Sequence, residues 1–242
     1  MQNEIISSSD ILAEIIHSNY QVLVVLERLG IQLGFGNKSV SKVAEENNID
    51  VTAFLLILNL FCNKNYMPKV ENQFNAIPDI LVYLKNSHAY FLVDKIPSIQ
   101  NNIKKLVHIL GDSKSELVES FYNNYIEEVT EHIEYENKTV FPYIEMVYQQ
   151  YKANPNVVLK GENYGINIYG EHHDDIEDEL KDLKNILIRH LPQVEDGKVR
   201  RKVLQQLFEL ESDLFSHGRI EDEVLIPLVK NLENNLSKLM LN

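Results

Sequence analysis

One pattern occurs twice in the chain and limits its fold more than any other feature. The stretch from His132 to Pro142 and the stretch from His217 to Pro227 both read H-x3-E-x4-[FI]-P, and they lie 85 residues apart. His88 and His173 are separated by the same 85 residues. Apolar residues also correspond at this spacing: Val118 with Val203, Tyr122 with Leu207, Val129 with Leu214, Val140 with Leu225, and Ile144 with Val229. The duplication predicts two related helical hairpins that fold face to face.

Hydrophobic periodicity predicts that these hairpins belong to an all-α protein. Apolar residues recur at intervals of three and four along most of the chain, and only 9 glycines and 7 prolines interrupt them. Four long helices are predicted over 78–110, 113–152, 165–191 and 196–238. Because their connections are short, we expect them to form an up-down four-helix bundle. Pro142 and Pro227 are expected to bend their helices, because a proline removes a backbone hydrogen bond.

A small helical domain is predicted to precede this bundle. The polar stretch 63–75 breaks the periodicity and is the candidate linker. We therefore expect a three-helix domain over 1–70 and the bundle over 76–242. Capping residues predict the three helices from Asp10 to Leu29 before Gly30, from Asn37 or Ser39 to Ala44, and from Asp50 through Phe61.

The charge balance argues against nucleic acids and anionic membranes as partners. The chain has 36 acidic and 23 basic side chains, a net charge of −13, so no basic surface dominates. Residues 1–70 hold only five basic side chains against seven acidic ones, which does not suit a helix-turn-helix reader of DNA. We expect this first domain to act in docking or in homodimerisation.

Cysteine content and the first residues point to a reducing compartment. Cys62 is the only cysteine, so one chain cannot form a disulfide or a cysteine-rich metal site. It lies in an apolar helix, where we expect it to be a buried structural residue. No basic segment followed by a long apolar run opens the chain, and the apolar run 54–61 is too short to cross a bilayer. We expect a cytoplasmic protein.

The repeated His-x3-Glu pattern has the spacing of metal ligands. Residues four apart lie on one face of a helix, so His132 with Glu136, and His217 with Glu221, can each reach a common point inside the bundle. With His88 and His173 the site holds four imidazoles and two carboxylates. This donor set exceeds the needs of one tetrahedral zinc ion and suits a dinuclear centre of iron or manganese, with iron favoured.

Two adjacent histidines compete for one of these positions. If His173 faces inward, Ile176, Leu180, Leu183 and Leu187 follow on the same stripe, whereas a stripe from His172 passes through the acidic Glu179. His173 is therefore the predicted ligand, with His172 as the alternative. His17, His108 and His190 have no repeat partners and are expected to be ordinary residues.

The order H…HxxxE…H…HxxxE on four helices resembles the hemerythrin-like cation-binding domain. Together with the preceding short helical domain, which resembles the ScdA-like type, almost the whole chain is similar to the Repair of Iron Centers family. The resemblance implies two non-haem iron ions with four histidine ligands and two bridging glutamates. Position by position these ligands are His88, His132, Glu136, His173, His217 and Glu221.

The chain departs from that family in its first domain. The adjacent cysteine pair typical of the family would fall on Gly34 and Phe35, so a mechanism that uses these thiols is absent here. The resemblance implies a role in oxidative or nitrosative stress, in which the centre binds or reacts with O2, NO or peroxide and supports the repair of iron–sulfur clusters in iron–sulfur proteins. Water, an oxo bridge or a gas would complete the coordination of the iron.

Two alternatives belong to other functional classes. The bundle could be an O2 or redox sensor that changes how the first domain docks, or it could be an iron donor; in neither case is catalysis required. In all of these interpretations, hydrogen-bonding groups beside the ligands should orient the imidazoles. Glu131, Glu134 and Tyr169 are the candidates for that role.

Overall fold

Helices form the regular structure of the protein. The computed structural model describes residues 5–111, 113–153, 165–172, 177–193, 195 and 197–238, and within them we find helices but no β-strand. Ile11 and Ser39 form an isolated antiparallel β-bridge. The prediction of an all-α protein is therefore confirmed for this part of the chain.

A membrane crossing needs a long helix that is also strongly apolar. Among the helices of the described residues, none meets both requirements.

Residues 5–62, the described part of this region, contain one helix more than predicted. The four helices are α1 (Leu12–Ser18), α2 (Val22–Arg28), α3 (Val40–Glu46) and α4 (Val51–Cys62). The single helix predicted from Asp10 to Leu29 is divided, because Asn19 adopts an extended backbone and its side-chain oxygen accepts a hydrogen bond from the Gln21 N–H. An asparagine that binds the backbone two residues ahead competes with the helical hydrogen bonds.

The other predicted helix ends of this region agree with the structure. Ser39 and Asp50 cap α3 and α4, and their side-chain oxygens accept hydrogen bonds from the backbone N–H groups of Lys42 and Ala53. Gly30 ends α2 with φ of 71°, a left-handed conformation that glycine adopts at low cost. Its N–H and that of the next residue bond back into the helix, as in a Schellman motif. Asp10 is the exception, because Ile11 occupies the N-cap of α1.

Each of the four predicted long helices contains a five-residue π-helical segment. The π turn carries hydrogen bonds over five residues and is wider than an α turn. Within the described residues the elements are α5 (Ile77–Tyr90), π1 (Phe91–Lys95), α6 (Ile96–Leu110), α7 (Ser113–Tyr135), π2 (Glu136–Val140), α8 (Phe141–Ala153), α9 (Ile166–His172), α10 (Glu177–Asn185), π3 (Ile186–His190), α11 (Gly197–Ile220), π4 (Glu221–Leu225) and α12 (Ile226–Lys238). A short 3-10 helix, Phe74–Ala76, precedes α5.

A proline follows every one of these π segments at the same distance. Each segment is followed by one residue and then by proline, at Pro97, Pro142, Pro192 and Pro227. In an α-helix a proline lacks the N–H and its ring meets the carbonyl four residues earlier. The residue that carries this carbonyl lies within the wider π turn. After π3 the helix ends at an extended Leu191, and after the other three it continues. Pro97, Pro142 and Pro227 are thus accommodated within long helices by the π turns before them.

The chain packs as two compact units, each with its own hydrophobic core. Unit 1 consists of Met1–Ser87, Lys138–His172 and Ser216–Asn242, and unit 2 of His88–Asn137 and His173–Phe215. In unit 1 the core side chains come from the first four helices together with α5, α8 and α12. In unit 2 they come from α6, α7, α10 and α11. The domain boundary near residue 70 and the up-down bundle stay predictions.

Candidate metal centre

The five predicted ligands that the structure describes lie where α-helix changes to π-helix. His88 is in the last turn of α5 and His132 in the last turn of α7, while His217 is in the last turn of α11. Glu136 is the first residue of π2 and Glu221 is the first residue of π4. The duplicated sequence therefore produces the same local backbone twice. Single π turns are frequent at functional sites.

In the first repeat, one buried carboxylate meets two imidazoles. Glu136 is 0% exposed, and its Oε1 lies 3.0 Å from His132 Nε2 while its Oε2 lies 3.1 Å from His88 Nε2. His88 is buried and His132 is partly exposed. The two oxygens of one carboxylate are thus directed to two different histidines. A carboxylate in this arrangement can interact with two ligands at once, one at each of its oxygens.

The environment of Glu136 favours its charged form. Burial by itself raises the pKa of this carboxyl group, but hydrogen bonds from His132 and His88 outweigh burial and hold the pKa well below its usual value. A buried carboxylate that stays ionised requires compensating positive charge close by. Protonated imidazoles or a metal ion can provide that charge.

The second repeat builds a corresponding pair. His217 Nε2 lies 3.3 Å from Glu221 Oε1, and both side chains are buried. The pair spans one helical turn at i and i+4, as predicted. The same residue types therefore occur in the same relation in both repeats.

Four of the six predicted ligands form one buried group that could hold a metal ion. Ligand atoms of His88, Glu136, His217 and Glu221 all lie within 4.8 Å of one another. Imidazole nitrogens and carboxylate oxygens together suit iron, zinc or manganese. The chemistry of this donor set fits a metal centre, and His132 is joined to it through Glu136.

The third histidine position cannot be compared with the structure. His173 and the side chain of His172 lie outside the described residues. The choice of His173 as ligand, with His172 as the alternative, stays a prediction.

One polar neighbour of the site was missed by the sequence analysis. His88 Nδ1 lies 3.0 Å from Asn137 Oδ1, so Asn137 is in hydrogen-bond contact with this imidazole. The repeat contained a signal for it, because the residue after each repeated glutamate is polar: Asn137 after Glu136 and Asp222 after Glu221. For Glu131, Glu134 and Tyr169 the orienting role stays a prediction.

Comparisons with known proteins do not assign the chain to a family. No family model matches it, and no curated protein matches it either. The function is therefore inferred from the residues of the site.

Proposed function

We propose that the protein is a non-haem di-iron protein that binds or reacts with O2, NO or peroxide. The observation that carries this proposal is the buried group of two histidines and two glutamates, His88, His217, Glu136 and Glu221. Groups of this kind are costly to bury unless a cation balances them. Binding of a metal cation would compensate this cost, because the cation is attracted to the buried carboxylates.

The six ligands of the proposed centre are those that the repeat predicts. His88 and His132 would bind through Nε2, which in both cases is the nitrogen nearest the Glu136 carboxylate. Glu136 would bridge the ions, since its two oxygens face two different imidazoles. His217, Glu221 and His173 would complete the set from the second repeat.

Iron bound there would supply reversible exchange between the ferrous and ferric states and coordination positions open to small oxidants. The protein's own contribution is to exclude bulk water and to hold the donors in place. Glu136 and Glu221 are 0% and 1% exposed, so their charges are screened little by solvent and attract cations strongly.

The cellular role proposed for this centre is a response to oxidative or nitrosative stress. The resemblance to the Repair of Iron Centers family supports it, with iron–sulfur proteins as partners. A thiol-based transfer is not part of the proposal, because Gly34 and Phe35 stand at the positions of the family's cysteine pair. Gly34 has φ of 103°, a conformation that cysteine rarely adopts, and Phe35 packs against the core.

Metal analysis of the purified protein tests the proposal. Protein purified without oxygen from iron-replete cells should carry about two irons per chain, as in other di-iron bundles. The variant His132→Ala/His217→Ala should lose most of this iron. His108→Ala/His190→Ala is the matched control, because both of these histidines are exposed, and it should keep its iron.

Other outcomes would contradict the proposal in different ways. Oxidised protein should show a ferric absorption band that changes on reduction and on addition of NO. Two zinc ions in place of iron would exclude the redox function and keep the metal site, since zinc does not change its oxidation state, and two manganese ions would contradict the assignment of iron. Equal metal content in the wild type and the His132→Ala/His217→Ala variant would exclude the site itself.

A second candidate function, redox sensing, is favoured by the contacts of Arg219. This buried guanidinium group donates two hydrogen bonds to Glu223, with Nε 2.7 Å from Oε1 and Nη2 3.0 Å from Oε2. Its Nη1 also donates to the carbonyls of Leu60 and Asn63, at 3.1 Å each, and Nη2 donates to the carbonyl of Tyr66 at 2.7 Å.

Arg219 lies between His217 and Glu221 in the same helical stretch. It therefore connects that stretch directly to the C-terminal end of α4, where carbonyl groups lack helical partners. A change of charge at the two ligands would reach the segment 60–66 through a single side chain. In a sensor, a change in that segment would be the output. Catalytic turnover would not be needed.

A further inference from the structure

His88 faces an oxygen acceptor at both of its ring nitrogens. Its Nδ1 lies 3.0 Å from Asn137 Oδ1, and its Nε2 lies 3.1 Å from Glu136 Oε2. An amide oxygen can only accept a hydrogen bond, so the hydrogen between the first pair is on Nδ1. In metal-loaded protein, where the ring would be neutral and Nε2 would no longer donate to Glu136, the lone pair would then be on Nε2, on the side of the carboxylate. A cation between Nε2 and Glu136 makes that arrangement favourable.

The backbone places Asn137 for this contact. Asn137 follows Glu136 directly, and both belong to π2. Successive residues of a helix point in different directions, so Glu136 is buried while Asn137 is exposed. The same turn therefore supplies a ligand to the site and an acceptor to the far side of His88.

The second repeat has a different residue at the corresponding position. Asp222 follows Glu221 in π4, and it is exposed, as Asn137 is. Asp222 also lies 85 residues after Asn137, the spacing of the repeat. The two halves of the chain thus carry a neutral amide and a charged carboxylate at equivalent places.

We propose that Asn137 is a positioning residue that holds His88 with Nε2 as the metal-binding atom, and that its amide makes His88 a weaker donor than a carboxylate would. This inference rests on the proposed metal centre. Groups that accept the second N–H of a ligating histidine fix the tautomer and the ring orientation, and a carboxylate in that place raises the basicity of the imidazole. Asn137 accordingly weakens the first half of the centre relative to an aspartate.

Metal affinity of two variants tests the role of the acceptor. Cobalt(II) binding is measured without oxygen by competition with a chelator of known affinity. Asn137→Leu should weaken binding by about 10- to 100-fold, the usual effect of removing such a partner. Asn137→Asp, which copies the residue of the second repeat, should bind at least as tightly as the wild type. Asn124→Leu is the matched control, because Asn124 is an exposed asparagine of α7, and its affinity should not change.

The tautomer of His88 provides a readout that does not depend on affinity. In zinc-loaded wild-type protein, long-range proton–nitrogen NMR correlations should show a hydrogen on Nδ1 of His88 and the metal on Nε2. Metal on Nδ1 would overturn the inference even if every variant behaved as expected. Far-UV circular dichroism of each variant checks that the helices are intact, and the NMR test uses only the wild type.

The outcomes separate this inference from the proposed function. Wild-type protein that binds cobalt, with Asn137→Leu equal to it, would overturn the role of Asn137 and leave the metal centre. Equal weakening in Asn137→Leu and Asn137→Asp would also overturn it, since the aspartate keeps an acceptor. Wild-type protein that binds no cobalt, zinc or iron would overturn the metal centre and this inference with it.

Discussion

Cys62 is the only thiol of the chain, and its surroundings decide whether it can take part in redox chemistry. The side chain is partly buried at the end of α4 and packs against the core of unit 1. Burial raises its pKa to about 11, although a hydrogen bond with Asn19 acts in the opposite direction. Since the thiolate is the reactive form, a raised pKa makes the group inert near neutral pH.

Alkylation kinetics should show this inertness. At pH 8 a shift from the ordinary 9.0 to about 11 lowers the thiolate fraction about 100-fold. We therefore expect the native protein to react with iodoacetamide at least about 100-fold more slowly than the same protein in urea. Mass spectrometry counts the product without ambiguity, because there is no second cysteine. A native rate close to the unfolded rate would mean that Cys62 is an accessible thiol.

The clustering of the candidate ligands was predictable because their pattern is repeated in the sequence. Two copies of His-x3-Glu identify His132, Glu136, His217 and Glu221, and the structure pairs each histidine with its glutamate. The contact of His88 with Asn137 depends on how α5 packs beside π2, which no local pattern specifies. The sequence therefore predicted the paired histidines and glutamates, and it did not predict the contact between His88 and Asn137.

At the level of elements, periodicity predicted the long helices well and the breaks within them poorly. Pro142 and Pro227 were expected to bend their helices, and the π turn that precedes each of them was not predicted. A proline in a sequence is compatible with a kink, a helix end or a π turn, and packing selects among them. The break at Asn19 has a similar origin, since one side-chain hydrogen bond decided it.

The Arg219 clamp, defined as Arg219 with its acceptors on Glu223, Leu60, Asn63 and Tyr66, should be important for stability. Breaking a buried ion pair on one side leaves its partners unsatisfied and typically costs about 3 to 5 kcal/mol. Glu223 is partly exposed, so we expect about 2 to 3 kcal/mol for Arg219→Met. Arg219→Lys should recover little, because an ammonium group cannot match the planar fork of guanidinium.

Urea denaturation followed by circular dichroism measures these changes. Arg201→Met is the matched control, since Arg201 is an exposed arginine of α11, and it should change the free energy of unfolding by less than about 0.5 kcal/mol. An Arg219→Met midpoint equal to that of the control would show that the clamp does not stabilise the fold.

The Arg219→Lys variant also tests the sensing function. Amide hydrogen exchange of the segment 60–66 should differ between ferrous and ferric protein if the clamp transmits the state of the metal. Arg219→Lys, loaded with iron, should lose that difference. Identical exchange of the segment in both oxidation states of the wild type would count against sensing and in favour of reaction with small oxidants.

At the scale of the whole molecule, the candidate ligands come from distant parts of the chain. Three separate helical stretches supply them, with His88 in the first, Glu136 in the second and the pair His217 and Glu221 in the third, so an unfolded chain cannot present them together. A metal that binds this group binds the folded state alone, and mass action then stabilises folding. The net charge of −13 also attracts divalent cations without a specific site. A measurement has to separate the two effects.

Thermal unfolding with and without cobalt(II) makes that separation. At a free metal concentration of about 100 times the dissociation constant, folding should gain about 2.7 kcal/mol. For a chain of this size the melting temperature should then rise by about 5 to 10 °C. Magnesium at the same concentration has the same charge as cobalt(II) but binds imidazole ligands poorly. Its effect on the melting temperature therefore reports charge screening alone. In the His132→Ala/His217→Ala variant, both ions should shift the melting temperature only as much as magnesium shifts that of the wild type. A full cobalt effect in that variant would place the stabilising ions elsewhere on the acidic surface.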